Sequence, residues 1–474
     1  MNNRALAFIK NFSYAVTSNM VSLLISTMVV LIVPKMIGVE EYGYWQLYIF
    51  YSSYIGFLQF GWNDGIYLRF GGKDYNTLDK GLFSTQFWLL LIFQTIIALL
   101  IYTLSYFLIQ DTDRQFILEV LALCLIVVGV RAMPLFIFQA TNRIKEFSQV
   151  TILDRLLYFI LISAFMISGI KDYRVMIFAD LIGKTLSLVY AVYLCRDIVF
   201  HRFATFSGSL KEVYININAG IKLMFANIAS LLVIGVIRFG IERSWNISTF
   251  GKVSLTFSIS NMIMFFINAV GIILFPVLKR VDEKKLSTIY GTLSQVLMAI
   301  FLGLLIIYYP LKVILTSWIP EYFESLQYMA LLFPMFVYEG KMSLLINTYL
   351  KTLRKEKLML KINFVSLVLS VLITFISAFL LKNLILSILS IVIIIAFRAI
   401  LAEWHLSKLL KISIYNDTVA ELIVTIIFIL LGWFMNSWVS VILYLTTYIL
   451  YLLLKRRKIM KALKEIKLIL RKGA

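Results

Sequence analysis

A succession of apolar stretches, each roughly twenty residues long, constrains this 474-residue chain more than any other feature. About fourteen can be delimited, at 12–33, 42–62, 82–109, 116–138, 150–169, 174–195, 217–239, 250–276, 291–314, 326–350, 362–381, 384–404, 419–435 and 438–454. A helix rises about 1.5 Å per residue, so about 20 residues cross a hydrocarbon core of roughly 30 Å. Inside lipid each backbone polar group must be paired within its own segment, which makes runs of this length helices. The chain is 61% hydrophobic and 15% charged, against about 45–50% and 25% in soluble domains. It cannot build a polar skin. The expected fold is an all-α integral membrane protein with about 14 transmembrane helices, two six-helix lobes plus two extra C-terminal helices. The first run is too long for a signal-peptide core and reads as a permanent span.

Loop charges orient these spans. With both termini cytoplasmic, the inner segments hold several times more Lys and Arg than the outer ones, as topology-setting loops do. The inner set includes Arg69, Lys73 and Lys80; Arg143 and Lys145; Lys279, Arg280, Lys284 and Lys285; and Lys351, Arg354, Lys355, Lys357 and Lys361. One outer turn carries Asp111 and Asp113. Losing a single span would invert every later loop, so an even number is favoured. The formal charge of +20 is therefore a topology signal and not a nucleic-acid surface.

The implied organisation is an N-terminal lobe over 1–195, a cytoplasmic linker over 196–222, a C-terminal lobe over 217–404, extra helices over 405–454 and a basic cytoplasmic tail over 455–474. In the linker, Ser209-x-x-Glu212 has the form of a capping box and predicts a short surface helix. In the tail, Ile459, Leu463, Ile466 and Leu470 recur at helical spacing, with Lys461, Lys464 and Lys467 on other faces. This pattern suits an amphipathic helix on anionic lipid. Cys124 and Cys195 form no C-x-x-C pair, and His201 and His405 lie far apart, so neither a metal site nor a cofactor is expected.

Ionisable side chains inside spans are expensive and usually functional. Arg131, Lys184, Lys341 and Arg398 lie too deep to reach the headgroups easily, while Arg155, Arg238 and Lys252 lie near span ends. Such cations suit the walls of a wet cavity that accepts a pyrophosphate, because Lys and Arg give charge-assisted hydrogen bonds to phosphate oxygens. The alternative is that each snorkels or pairs with a neighbour. Asp180 and Lys184 share a helix face at i, i+4 and can pair. Asp180 and Glu339 are the candidates for charge pairing or for coupling to an ion. On the first span, Asn11, Ser18, Ser22 and Ser26 form a polar stripe, suited equally to sugar hydroxyls and to helix packing. Pro134 and Pro334 are placed to kink their spans.

Several short stretches resemble one family. Pro34-Lys35-Met36-Ile37-Gly38-Val39-Glu40-Glu41-Tyr42-Gly43-Tyr44-Trp45 is similar to the P-x-x-L-G-x-x-E-Y-G-x-W run between the first two helices of polysaccharide flippases. The stretch from Phe60 to Arg69 resembles the exit of their second helix. The stretches from Phe138 to Arg143, Arg238 to Arg243, Thr249 to Ser254 and Phe275 to Arg280 resemble later loops in the same order. The resemblance is to the oligosaccharide-flippase branch of the multidrug/oligosaccharidyl-lipid/polysaccharide exporter superfamily. It implies two six-helix lobes, an inward-to-outward switch and a cationic central cavity, and it transfers no binding residue.

The resemblance also implies a substrate, an undecaprenyl-pyrophosphate-linked oligosaccharide repeat unit. That unit would move from the cytoplasmic to the outer leaflet of a bacterial plasma membrane by alternating access, for capsule, exopolysaccharide or O-antigen-type polysaccharide. Partners would be membrane lipids, a polysaccharide polymerase and glycosyltransferases, without nucleic acid. Such a protein is a transporter and not an enzyme. Two other readings compete. A drug/cation antiporter of the same superfamily predicts acidic spans, and these spans are richer in Lys and Arg. A membrane sugar polymerase or glycosyltransferase predicts a sizeable outer loop, and the longest candidate, Trp318 to Ser325, offers only Glu321 and Glu324.

Overall fold

Short polar caps decide where the apolar runs stop. The computed structural model describes residues 3–279, 283–435 and 437–472, with side chains for 13–14, 16–264, 267, 286–435 and 437–464. Almost all of this is helix, and no strand occurs among the described residues. The helices are α1 (Asn3–Ile37), α2 (Val39–Ile55), α3 (Trp62–Phe70), α4 (Lys80–Leu108), α5 (Thr112–Ala140), α6 (Ile144–Ile167), α7 (Tyr173–Leu194), α8 (Arg196–Val199), α9 (Phe206–Ser244) and α10 (Ile247–Lys279). There follow α11 (Glu283–Leu304), α12 (Tyr308–Trp318), α13 (Phe323–Leu332), α14 (Met335–Gly340), α15 (Asn347–Thr352), α16 (Glu356–Thr374), α17 (Leu384–Leu410), α18 (Tyr415–Phe434) and α19 (Trp438–Lys472). Asp79, Asp111, Asp172 and Asn383 cap α4, α5, α7 and α17, each accepting from a first-turn amide at 2.8–3.1 Å. These caps satisfy amides that the helix itself leaves open.

Among the described residues eleven helices are long and apolar enough to cross a membrane, or twelve if the pair Pro320–Leu332 and Met335–Thr352, bent by 42°, counts as one span. Pro334, between α13 and α14, stands at that bend. The expected number of fourteen is not confirmed. The run at 42–62 is interrupted: after α2 the chain tightens into a 3-10 turn at Gly56–Gln59, then Phe60 (φ 53°) and Gly61 (φ 77°) adopt left-handed conformations before α3. The run at 250–276 lies in α10, and it is not among the eleven. Side chains of Asn11, Phe275 to Arg280, Lys284, Lys285, Ile466, Lys467 and Leu470 lie outside the described residues. The expected surface helix starting at Ser209 is replaced by the long α9, with Ser209 and Glu212 inside it. Span and tail likewise merge into one helix, α19.

The chain divides into two compact units, Met1–Ile228 and Ala229–Ala474, with the boundary inside α9. In the first, Trp62, Phe83, Phe138 and Val199 belong to one buried core. Its tightest crossing is made by glycine. A Cβ on Gly65 would fall 1.8 Å from the Asn216 carbonyl oxygen of α9, and one on Gly220 would fall 2.0 Å from the Gly61 oxygen. Here backbone meets backbone, as small residues allow between membrane helices. Arg69 locks the crossing by pairing with Glu212 (2.7 Å) and donating to Asn216 Oδ1 (2.5 Å). In the second unit, Tyr290, Tyr349, Ile362 and Leu406 share a buried core. Phe107 and Ile167 are 80% and 88% exposed, as suits a surface solvated by lipid.

Candidate functional site

In the first unit, α5, α6 and α7 pack together and bring their charges side by side. Arg131 on α5 donates to Asp154 Oδ2 on α6 (2.8 Å) and to Ser187 Oγ on α7 (2.6 Å). Asp180 on α7 pairs with Lys184 one turn on and accepts from the Tyr48 hydroxyl of α2 (2.6 Å). The Lys184 ammonium lies 5.6 Å from the centre of the Tyr48 ring. Arg155, half-buried beside Asp154, makes no hydrogen bond or ion pair among the described residues. Its charge acts through space on Asp180 and Tyr158. The cluster holds three cations (Arg131, Arg155, Lys184) and two carboxylates (Asp154, Asp180), a surplus of one positive charge. On α1, Ser18 is buried and Ser22 and Ser26 are half-buried.

The second unit holds the other four cations in separate sets. Lys341 is buried between two carboxylates, with Nζ 2.6 Å from Glu403 Oε2 on α17 and 2.7 Å from Glu421 Oε2 on α18. It opens a π-helical turn, Lys341–Ile346, a wide turn frequent at functional sites. Arg398, 1% exposed, pairs with Glu339 and donates to Ser230 Oγ (3.2 Å). Arg238 donates to Ser254 Oγ (3.1 Å) and lies 4.9 Å from the centre of the Phe257 ring. Lys252 pairs with the exposed Glu324 (3.2 Å).

Arg131, Arg155 and Lys184 are thus brought into one cluster, while Lys252, Lys341 and Arg398 each pair with carboxylates of their own and Arg238 donates to Ser254. Asp180 and Glu339, the two candidate carriers, each face a cation of their own. Two acidic residues absent from the sequence-based site, Glu403 and Glu421, complete the most buried ion pairs of the molecule's described part. Each is an acid within an apolar run, the signal that singled out Lys341. Lysine with two carboxylates leaves one negative charge unmatched.

Many long apolar helices, irregular turns such as Lys341–Ile346 and Phe375–Leu380, and buried charges in both units define the class: a multi-pass helical membrane protein. A family model described as "Polysaccharide biosynthesis protein" matches residues 8–282, more than half of the sequence. The chain belongs to that family. No curated protein matches it in sequence. In fold it is similar to an inward-facing multidrug resistance MATE family transporter of the MOP superfamily, with TM-score 0.61 and 13% identity over 83% of this chain and 99% of that one. It is also similar to the lipid II flippase MurJ in an inward closed conformation, with TM-score 0.63 and 11% identity over 95% and 99%. A third likeness is a MOP superfamily transporter from Pyrococcus furiosus described by the reverse polarity of its binding pocket, with TM-score 0.51 and 14% identity over 85% and 97%. At such identities the likeness establishes the fold.

Proposed function

We propose that this protein carries a lipid-linked oligosaccharide repeat unit, joined to undecaprenyl by pyrophosphate, from the cytoplasmic to the outer leaflet of a bacterial plasma membrane. The product would feed a capsule, an exopolysaccharide or an O-antigen-type polysaccharide, after glycosyltransferases and before a polymerase. The observation that carries this reading is the surplus cation of the first unit. Among the described residues Arg155 has no ion pair of its own, and it acts through space on the same cluster as Arg131 and Lys184, whose carboxylate partners are already in place. A diphosphate arriving there meets a guanidinium with unused donors, and charge-assisted bonds to phosphate are among the strongest available. Serines of α1 supply hydroxyls for the sugar, and the polyprenyl tail remains in lipid. Family membership and the likeness to a lipid II flippase support the same class of cargo.

Alternating access would then expose the headgroup to either side, and substrate biases such a switch only through unequal affinity for its two states. Orientation with both termini cytoplasmic, and docking of the basic end of α19 on anionic lipid, belong to this proposal. The test is deletion of the chain in a cell that makes a lipid-linked repeat unit. Accumulation of the unit on the cytoplasmic leaflet is the expected result. Accumulation of unpolymerised units on the outer leaflet would point to a polymerase instead. The antiporter reading draws on the surplus carboxylate of the second unit, and it predicts efflux of a cationic dye that a repeat unit does not inhibit.

A further inference from the structure

Glu403 and Glu421 share one lysine, but they are not equivalent. Glu403 accepts from Lys341 Nζ (2.6 Å), from the Tyr290 hydroxyl (2.9 Å) and from Thr418 Oγ1 (3.3 Å). Glu421 accepts on its carboxyl group from Lys341 alone among the described residues (2.7 Å). Donors compensate a buried carboxylate's charge, and Glu403 has three where Glu421 has one. All three charged groups are at most 4% exposed. An unmatched charge so deeply buried is strongly unfavourable, and a carboxyl relieves it by taking up a proton. Like charges flanking one site drive one carboxyl to stay protonated.

The groups that face Glu421 agree. Lys341 and Glu403 touch the same cluster, and Tyr290 of α11, Tyr338 of α14 and Tyr451 of α19 lie within electrostatic range. Asp417, one turn away on α18, is already held by Lys455 and Lys458 of α19. The packed α13 offers only Glu324, whose partner is Lys252. Among the described residues Lys341 is therefore the one cation left for two carboxylates. The Tyr338 hydroxyl is buried without a well-formed hydrogen bond, a donor in reserve for Glu421 once it ionises.

The cluster is also reachable. Glu403 and Tyr290 line a cavity of about 420 Å³ whose other walls include Ser294, Gln295, Asp417 and Lys461. We propose that Glu421 holds a proton that it exchanges with this polar cleft by way of Glu403 and Tyr290. The Lys341, Glu403 and Glu421 cluster is thereby a proton-binding site of the second unit. On release the Glu421 O–H bond breaks, the electron pair stays on the carboxylate, the proton passes to water in the cleft, and the cluster goes from neutral to one negative charge. Use of that proton to drive transport rests on the flippase reading; occupancy of the site does not.

Difference infrared spectroscopy of the full chain in lipid nanodiscs tests the occupancy without any substrate. At neutral pH, subtracting the spectrum of Glu421→Gln from that of the unmodified protein should reveal one buried protonated carboxyl band. Glu403→Gln should lose the same band, because one lysine then matches one carboxylate. Lys341→Gln should gain a second band. A Glu421→Gln difference without the band, or a Glu403→Gln protein that keeps it, overturns the proposal. Thermal melting identifies any variant that fails to fold, and the remaining isosteric variants still decide. In proteoliposomes loaded with a lipid-linked repeat unit, Glu421→Gln should flatten the pH dependence of flipping. Absence of flipping by the unmodified protein would count against the flippase reading and leave the infrared result standing.

Discussion

One cluster in each unit buries charge, and the two do so in opposite ways. In the first unit's cluster, Arg131, Arg155 and Lys184 face Asp154 and Asp180, and among the described residues one cation is left over. In the second unit's cluster, Lys341 faces Glu403 and Glu421, and one carboxylate is left over, while Arg398 is matched by Glu339. The leftover group sets what each unit can take up. An uncommitted guanidinium suits an anion such as a diphosphate, whereas an uncommitted carboxyl, sealed at most 4% exposed, suits a proton. A uniformly cationic wall would not separate these two roles.

Packing differs as well, and it provides the most severe way to break the comparison. In the first unit Gly65 and Gly220 abut backbone atoms, whereas in the second a Cβ on Gly340 would meet the side-chain ends of Ile267 (2.8 Å) and Phe301 (3.0 Å). Gly65→Val should abolish folded protein in detergent, because a carbonyl at 1.8 Å cannot turn aside. Gly340→Ala should fold with a loss of about 1–3 kcal/mol, the range for overpacking that neighbours can absorb. Equal melting temperatures for the two variants would refute the distinction. Next in size, Lys341→Gln leaves the buried Glu403 carboxylate without its cation and should cost about 3–5 kcal/mol near neutral pH. The loss should shrink as pH falls and that carboxylate is neutralised by a proton, and a pH-independent loss would contradict it. Arg131→Gln leaves the single, slightly more accessible Asp154 and should cost about 1–3 kcal/mol.

The smallest effect belongs to the exposed end of the first unit. Lys80 reaches Asp197 Oδ2 (2.8 Å) and Tyr75 donates to its Oδ1 (2.8 Å). Burial pushes the Asp197 carboxyl up, but these two bonds outweigh it and hold it below the usual aspartate range. A depressed carboxyl contributes stability above its unfolded value of about 3.9 and loses it as pH falls through the folded value. Asp197→Asn should therefore cost under about 1 kcal/mol at pH 7, as surface pairs do, and nothing in strong acid. Paired thermal melts at the two pH values check this sign.

What could be read from the sequence follows from how local each feature is. A span is local: its apolar run and its Asp or Asn cap lie within some thirty residues, so α4, α5, α7 and α17 were legible. The Asp180–Lys184 pair was legible because i, i+4 geometry is fixed by the helix itself. Lys341 finds Glu403 and Glu421 at separations of 62 and 80 residues, and nothing local records that meeting. The sequence left open whether each deep cation lines a wall or pairs with a neighbour, and it could not name the distant carboxylates that Lys341 meets. The interruption between α2 and α3 was hidden for a different reason. Hydropathy is blind to backbone conformation, and Gly56 and Gly61, of which Gly61 takes the left-handed conformation, were the sequence hint of a turn.

Flipping of a polyprenyl-diphosphate-linked oligosaccharide in proteoliposomes, compared between the unmodified protein and Arg155→Gln and Arg155→Lys, tests the central claim most directly. The account predicts a loss of tenfold or more in Arg155→Gln, partial recovery in Arg155→Lys, and melting temperatures within about 1 °C of one another, since an uncommitted side chain contributes little to stability. Equal flipping rates in all three proteins would contradict it.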